Sequence, residues 1–175
     1  MTRFVVVSGA SGGGKSTLIA ELAAQGLSTV PEPGRRIVAA ALAGDGCGLP
    51  WQQPAEFARR AVALALQDWH AAHGLTAPVV FDRGLLDAVA AFEHETGALP
   101  PEAEGLGTRY DRQVWMAPPW PDLFHTDAER RHDQASALAE YRRLCAFLPR
   151  FGYEIRELPK LSVADRAALV RAAMT

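Results

Sequence analysis

The first residues with an evident chemistry are Gly9 to Ser16, which fit the pattern G-x-x-x-x-G-K-[ST]. Glycines at this spacing let backbone N–H groups converge on an anion at the N-terminus of a helix. A lysine at the end of such a loop places its charge on the β and γ phosphates, and a serine hydroxyl there binds Mg²⁺. We therefore predict a phosphate loop made by Gly9, Ala10, Ser11, Gly12, Gly13, Gly14, Lys15, Ser16 and Thr17, with Ser16 on the metal.

A second candidate group follows the apolar run Val79-Val80-Phe81, which ends in Asp82-Arg83. An aspartate at the end of a buried strand is the usual second holder of Mg²⁺ in phosphate-loop proteins. Arg83 cannot act as a base but can neutralise a phosphoryl group during transfer, which favours transfer over hydrolysis. Alternatively, Asp82 caps a helix that begins near Gly84. For the nearby Asp87, a structural and a substrate-binding role are equally compatible with the sequence.

A third group, Glu32, Arg35 and Arg36, follows an apolar segment that ends at Val30. The helix dipole favours a glutamate near the start of a helix but disfavours arginines there. We therefore expect Arg35 or Arg36 to bind a ligand or to form an ion pair, and we count Glu32 among the substrate-binding candidates.

Beyond the next predicted strand lies a proline-rich segment and then the pair Arg130-Arg131. A segment of this kind is typical of a lid that closes over phosphates and excludes water. We predict a lid at about 118–133 that carries one or both arginines to the phosphoryl group. The alternative is that these arginines lie on a solvated surface.

These groups require elements that bring them together. Short apolar runs rich in β-branched residues predict strands at 4–7, 27–30, 78–81, 113–116 and 153–158. Helical periodicity or helix boundary signals predict helices at 16–25, 34–43, 54–73, 85–94, 135–148 and 162–174. The alternation predicts a three-layer α/β/α sandwich around a five-stranded parallel sheet. Ligands bind such sheets outside the carboxyl ends of the strands, where the polar groups above are found.

Length and charge narrow the possible functions. A chain of 175 residues that is 49% hydrophobic indicates a single domain over 1–175. With 18 basic and 20 acidic residues, it has no charge excess that would favour nucleic acid or a membrane surface. No run approaches the ~20 apolar residues of a membrane span, and two cysteines indicate a reducing compartment. We therefore expect a cytoplasmic monomer or homodimer.

Four segments, GASGGGKST, VPEPGRR, VVFDRGLLD and APPWPDLFHTDAERR, give the chain a family resemblance. The chain resembles the bacterial P-loop proteins of the AAA-like ATP-binding group, which are similar to the ribosylnicotinamide kinase domain of a regulator of NAD biosynthesis. The resemblance extends from residue 4 to about residue 131. It implies a P-loop NTPase core of the kinase type with strand order 2-3-1-4-5 and a lid at 127–131.

The Glu-Pro after the second strand and the Asp-Arg after the third also resemble deoxynucleoside kinases. That resemblance implies that Glu32 accepts the proton of the acceptor hydroxyl and that Arg83 supports Glu32. The kinase group has Glu-Arg where this chain has Asp-Arg, so Glu32 and Asp82 both stay candidates for the base.

Two functions follow from these observations. The first is a Mg·ATP-dependent kinase for a small molecule with a hydroxyl group, in which helices at about 34–73 form the acceptor pocket. Its predicted catalytic residues are Lys15, Glu32, Asp82, Arg83, Arg130 and Arg131. The second is an ATP-hydrolysing switch whose bound state controls a partner. The acceptor, and the choice between ATP and GTP, stay open at this point.

Overall fold

Five parallel strands form one sheet in the computed structural model, which describes residues 3–44, 47–120 and 134–174. The strands are β1 (Phe4–Gly9), β2 (Ser28–Val30), β3 (Val79–Asp82), β4 (Gln113–Ala117) and β5 (Glu154–Glu157). Their order in the sheet is β2-β3-β1-β4-β5, and every neighbouring pair is parallel. Both the five-stranded sheet and the order 2-3-1-4-5 are thus confirmed.

In the described ranges, six α-helices connect and cover the strands. They are α1 (Lys15–Ala24), α2 (Pro33–Ala43), α3 (Pro54–Ala71), α4 (Leu85–Thr96), α5 (Gln134–Phe147) and α6 (Val163–Ala172). Proline occupies the first position of α2 and α3, where the missing N–H would have had no partner within the helix. The predicted helix at 54–73 is shorter as an α-helix, because a 3₁₀ turn, Ala72–Gly74, replaces its last residues.

The two faces of the sheet carry separate apolar cores, which makes the molecule a three-layer sandwich. Alternate residues of β1 point to opposite faces, so Val5 and Val7 pack with residues of α1 and α6, including Leu18 and Val170. On the other face Val6 packs with residues of α3, α4 and α5. Because β1 is central and covered on both sides, its sequence is an unbroken apolar run rather than an alternating one.

The register of the sheet brings the ends of three strands to one edge. Val7 of β1 is paired with Asp82 of β3, and Gly9 is paired with Ala117 of β4. At Gly9 the backbone has φ +119, and a Cβ there would lie 2.2 Å from the carbonyl oxygen of Ala117. Only glycine therefore lets the chain leave β1 into the phosphate loop.

Within the ranges described above, no helix combines the length and the apolar character needed to cross a membrane. Cys47 and Cys145 are not joined by a disulfide bond.

Candidate active site

The phosphate loop crosses from β1 to α1 with its backbone N–H groups available at the start of the helix. Ala10 N–H donates to the carbonyl oxygen of Ala117 at 3.0 Å, which fixes the loop to β4. Gly14, with φ +67, precedes α1, and no described side chain caps that helix. The N–H groups of a helix's first turn have no partner within the helix, and together with the positive end of the dipole they form a site for an anion.

Lys15 is buried in this loop, with only 5% of its surface exposed. Its Nζ donates to the carbonyl oxygens of Gly9, at 3.0 Å, and Ala10, at 2.5 Å. Burial, assisted by the positive charge of Arg83, lowers the pKa of Lys15 to about 8. A phosphate near Nζ would offset both causes and favour the charged ammonium.

Arg83 lies at the centre of a buried charged cluster. Its Nε is 3.2 Å from Oε1 of Glu32, and its Nη1 is 3.2 Å from Oδ1 of Asp87 and 2.9 Å from Oε1 of Glu140. Burial alone would lower the pKa of Arg83, but Glu140, Glu32 and Asp87 raise it well above its usual value. The arginine therefore stays charged and holds together residues from the ends of β2 and β3, from α4 and from α5.

The backbone of Arg83 is in the left-handed region, with φ +69, and is the only described non-glycine residue with positive φ. Such a conformation is costly for a residue with a side chain and is typical of functional sites. The Arg83 N–H donates to the carbonyl oxygen of Val7 at 2.9 Å, which ties the turn to β1. The turn thereby directs the guanidinium toward the three carboxylates.

Asp87 projects from the first turn of α4 into the same cluster. The hydroxyl of Ser8 donates to its Oδ1 at 2.6 Å, and burial raises the pKa of the Asp87 carboxyl. Its Oδ2 is buried and has no hydrogen-bond partner in the described part of the chain. The structure thus gives Asp87 both a positioning bond from β1 and a free oxygen near the cavity described next.

A cavity of about 140 Å³ opens between the phosphate loop and helices α2, α3 and α4. Its polar lining includes Ser11 and Lys15 from the phosphate-loop region, which face the Arg83 cluster. Its apolar lining comes from the helices. The lining residues include Val38 of α2, Phe57 and Ala61 of α3, and Ala88 and Ala91 of α4. One space therefore joins the phosphate loop to a half-apolar pocket.

Glu32, the residue before α2, lines this pocket. Arg35 and Arg36, which follow it, have different partners. Arg35 lines the cavity, and its Nε is 3.4 Å from Oε2 of Glu32. Arg36 instead donates to Oδ2 of Asp68 on α3 at 2.7 Å. Arg36 is not among the residues that line the cavity, so the geometry favours Arg35 for substrate contact and gives Arg36 a bond between helices.

Asp82 ends β3 beside the phosphate loop, and only 6% of its surface is exposed. Burial, followed by the negative charge of Glu32, raises its pKa to about 6. Asp82 does not cap α4, because Gly84 holds the cap position. Instead, the Leu85 N–H at the start of α4 donates to the hydroxyl of Tyr110 at 3.1 Å.

Most of the chain matches the model of a known protein family. The family model described as "AAA domain" matches residues 4–166. The chain belongs to the AAA domain family. No curated protein matches the sequence of this AAA domain significantly.

Solved structures show the same fold at low sequence identity. Shikimate kinase from Acinetobacter baumannii, in complex with shikimate, matches with a TM-score of 0.59 and 16% identity, over 99% of this AAA domain and 93% of the kinase. Deoxyadenosine kinase from M. mycoides, with the products dCMP and dCDP, matches with a TM-score of 0.62 and 11% identity, over 98% and 97% of the two chains. At these identities the similarity establishes the P-loop kinase fold of this AAA domain.

The residues of this AAA domain fit a Mg²⁺ ion that is held mainly by phosphates. Oδ1 of Asp82 is buried and has no hydrogen-bond partner among the residues described, which suits an oxygen that faces a cation or its water. No group of three or more His, Cys, Asp or Glu that could hold a metal occurs in the described ranges. That is expected for Mg²⁺, which keeps several waters and uses one or two protein oxygens together with substrate phosphates.

Sequence reasoning missed Glu140 and Ser8, which complete the Arg83 cluster. Glu140 lies on α5 and Ser8 within β1, and neither belongs to a motif. Only the packing of α5 against the sheet brings Glu140 to Arg83, across 57 positions of the chain. Conversely, Arg130, Arg131 and the rest of the segment 121–133, which belongs to the predicted lid, lie outside the described part of this AAA domain.

Proposed function

We propose that the protein is a Mg·ATP-dependent phosphotransferase that acts on a hydroxyl group of a small molecule. One observation carries the proposal: a single cavity is lined by the phosphate-loop residues Ser11 and Lys15 and by the Glu32–Arg83 ion pair. A hydrolase needs only water at this position. A half-apolar pocket beside the phosphate loop supports an organic acceptor instead.

The reaction needs positioning and charge neutralisation more than covalent chemistry by the protein. The acceptor oxygen forms a bond to the γ-phosphorus while the bond from that phosphorus to the β–γ bridging oxygen breaks, and ADP leaves with the electron pair. The hydroxyl proton passes to a carboxylate. Lys15 and Arg83 are positioned to neutralise the charge that spreads over the transferring group.

Glu32 is the better candidate for the proton acceptor. It lines the cavity, whereas Asp82 does not, and it pairs with both Arg83 and Arg35. Asp82, with its unpartnered Oδ1 beside the phosphate loop, is better suited to hold Mg²⁺ together with Ser16. When bound, the ion would neutralise phosphate charge. Arg35 and Asp87 are left to contact the acceptor.

The acceptor is the least determined part of the proposal. Two of the structural neighbours are a kinase in complex with shikimate and one with dCMP and dCDP bound, so a hydroxyl on a carbocycle and one on a sugar are both reasonable candidates. Phe57 and the alanines of α3 and α4 offer an apolar wall for a ring. We therefore propose a compact ring compound with a free hydroxyl.

The deciding experiment is a screen for ADP release that depends on an acceptor. Purified protein with Mg·ATP is incubated with nucleosides, ribosylnicotinamide, shikimate and small polyols, and the phosphorylated product is identified by mass spectrometry. A kinase releases ADP slowly alone and at least tenfold faster with its acceptor. Hydrolysis at the same rate with every compound would contradict the proposal and favour the ATP-hydrolysing switch.

A further inference from the structure

A second buried arginine, Arg166, lies beside the phosphate loop on the side away from the cavity. It belongs to α6, near the start of that helix, and only 3% of its surface is exposed. A Cβ built on Gly14 would lie 3.0 Å from Nη1 and 3.3 Å from Nη2 of Arg166. The guanidinium is therefore packed directly against the residue that precedes α1.

Arg166 lacks the partners that a buried arginine normally has. Its Nε and Nη1 are buried without a hydrogen bond in the ranges that the structure describes. Its Cζ lies 5.1 Å from the centroid of the Trp120 ring, a cation–π contact. By contrast, Arg83, which is also buried, has three carboxylates around it.

The position of Arg166 makes this lack of partners costly. The guanidinium lies next to the N-terminus of α1, where the helix dipole is positive, and no acidic residue is present in the first turn of α1. Burial disfavours the charge and lowers the pKa of Arg166, and no carboxylate among the residues described raises it. A buried cation placed against a positive helix end is stabilised only when an anion arrives between them.

We infer that Arg166 binds a phosphate oxygen of the nucleotide from the α6 side of the phosphate loop. The inference rests on the proposed function, since the anion it requires is the nucleotide. In loops of this kind the backbone N–H groups hold the α and β phosphates while the lysine reaches the β and γ phosphates. Arg166, which contacts Gly14 rather than the cavity, is therefore assigned to the α–β end of the phosphate chain.

This assignment gives Arg166 a role that differs from that of the Arg83 cluster. Arg166 does not line the acceptor cavity, so its contact with the phosphates is present before and after transfer. It strengthens the binding of ATP and ADP to similar extents. Replacing it is expected to raise KM for ATP with little change in kcat, as for an interaction made equally in ground state and transition state.

The test compares Arg166→Gln with Arg171→Gln, a control on the same helix whose arginine bonds to the carbonyl oxygen of Gln25. Dissociation constants for ADP and for inorganic tripolyphosphate are measured by calorimetry, and unfolding in urea is followed without nucleotide. We expect Arg166→Gln to weaken both ligands at least tenfold while the nucleotide-free protein is as stable as wild type or more stable. Arg171→Gln should leave both affinities unchanged.

Three outcomes would overturn the inference. Unchanged ADP affinity in Arg166→Gln would exclude a phosphate contact. A loss for ADP with no loss for tripolyphosphate would place the base or ribose, not a phosphate, on Arg166. A variant that is destabilised without nucleotide would make Arg166 a structural residue. Lys15→Ala is measured in parallel, so that failure of this inference can be told from failure of the proposed function. If the wild-type protein binds no nucleotide, the proposed function is wrong. If Lys15→Ala weakens nucleotide binding but Arg166→Gln does not, only the role assigned to Arg166 is wrong.

Discussion

Arg83 and Glu32 follow neighbouring strands, and Nε of the arginine lies 3.2 Å from Oε1 of the glutamate. The two residues line the same cavity as Ser11 and Lys15 of the phosphate loop, where donor and acceptor would meet in the proposed reaction. The guanidinium also contacts Asp87 and Glu140, so it is held in place before any ligand binds. A preorganised charge of this kind costs little reorganisation during phosphoryl transfer.

The first prediction concerns Glu32 as the base. Glu32→Gln keeps the size of the side chain and its oxygen near Arg83 but removes the proton acceptor. We expect kcat to fall by about 10²- to 10⁴-fold while the affinity for ATP changes little. The measurement is steady-state kinetics with the acceptor identified by the screen. Glu56→Gln on α3, where Glu56 pairs with Arg60 in solvent, is the control. Full activity in Glu32→Gln would show that Glu32 is not the base and would leave Asp82 as the candidate.

The second prediction concerns pH and Lys15. Nucleotide binding needs the charged ammonium, and burial lowers the pKa of Lys15 in the free protein to about 8. In the complex the phosphates raise that pKa. The dissociation constant for ADP should therefore be constant below about pH 8 and rise above it, by up to about tenfold per pH unit. Calorimetry between pH 6.5 and 9.5 checks this. In Lys15→Met the binding should be weak, and this rise above pH 8 should be absent.

The third prediction concerns the cost of burying Asp82. Its pKa is raised from 3.8 to about 6 in the folded protein, so the folded state binds more protons than the unfolded state between these values. The free energy of unfolding therefore falls as pH rises through this window, by up to about 3 kcal/mol from this group. Asp82→Asn removes the effect. In urea denaturation without Mg²⁺, the variant should gain stability over wild type between pH 4 and pH 7.

If Asp82→Asn raised the free energy of unfolding equally at pH 4 and pH 7, the ionisation of Asp82 would not be what destabilises the folded protein. The same variant should also lose most of the Mg²⁺ dependence of ADP binding, since Asp82 is the proposed second holder of the ion.

The fourth prediction concerns the close approach of the phosphate loop to β4. In Gly9→Ala the new Cβ would lie 2.2 Å from the Ala117 carbonyl oxygen, at φ +119, so the backbone must move. We expect a loss of more than about 3 kcal/mol in the free energy of unfolding, together with a loss of nucleotide binding. Gly26→Ala is the matched control: its φ is +87, but a Cβ there meets nothing within 4 Å. Its cost should stay near ~1 kcal/mol, from the backbone alone.

The elements were predictable because their signals are local. A continuous apolar run marks a strand covered on both faces, as in β1 and β3, and all five predicted segments contain strands. Their boundaries moved by a few residues: the segment at 153–158 is a strand only over Glu154–Glu157, at the edge of the sheet. The strand order came from the family resemblance, because no pattern within a strand says which strand lies beside it.

The candidate site divides in the same way. The phosphate loop is one contiguous segment whose backbone conformation follows from its glycines, so the sequence alone identified it. Asp82 and Glu32 were recognisable because each lies at or just after the end of an apolar strand. The partners of Arg83 and the isolation of Arg166 depend on which helices pack on which face of the sheet. Glu140 reaches Arg83 from α5, and Arg166 reaches Gly14 from α6. In both cases the surroundings of the charge are formed by residues far away in the chain.

The sequence by itself determined where phosphate can bind, because the backbone of one short segment suffices for that. Only the tertiary structure decided which buried charges are compensated and which are not, because burial and charge pairing arise from contacts between distant segments.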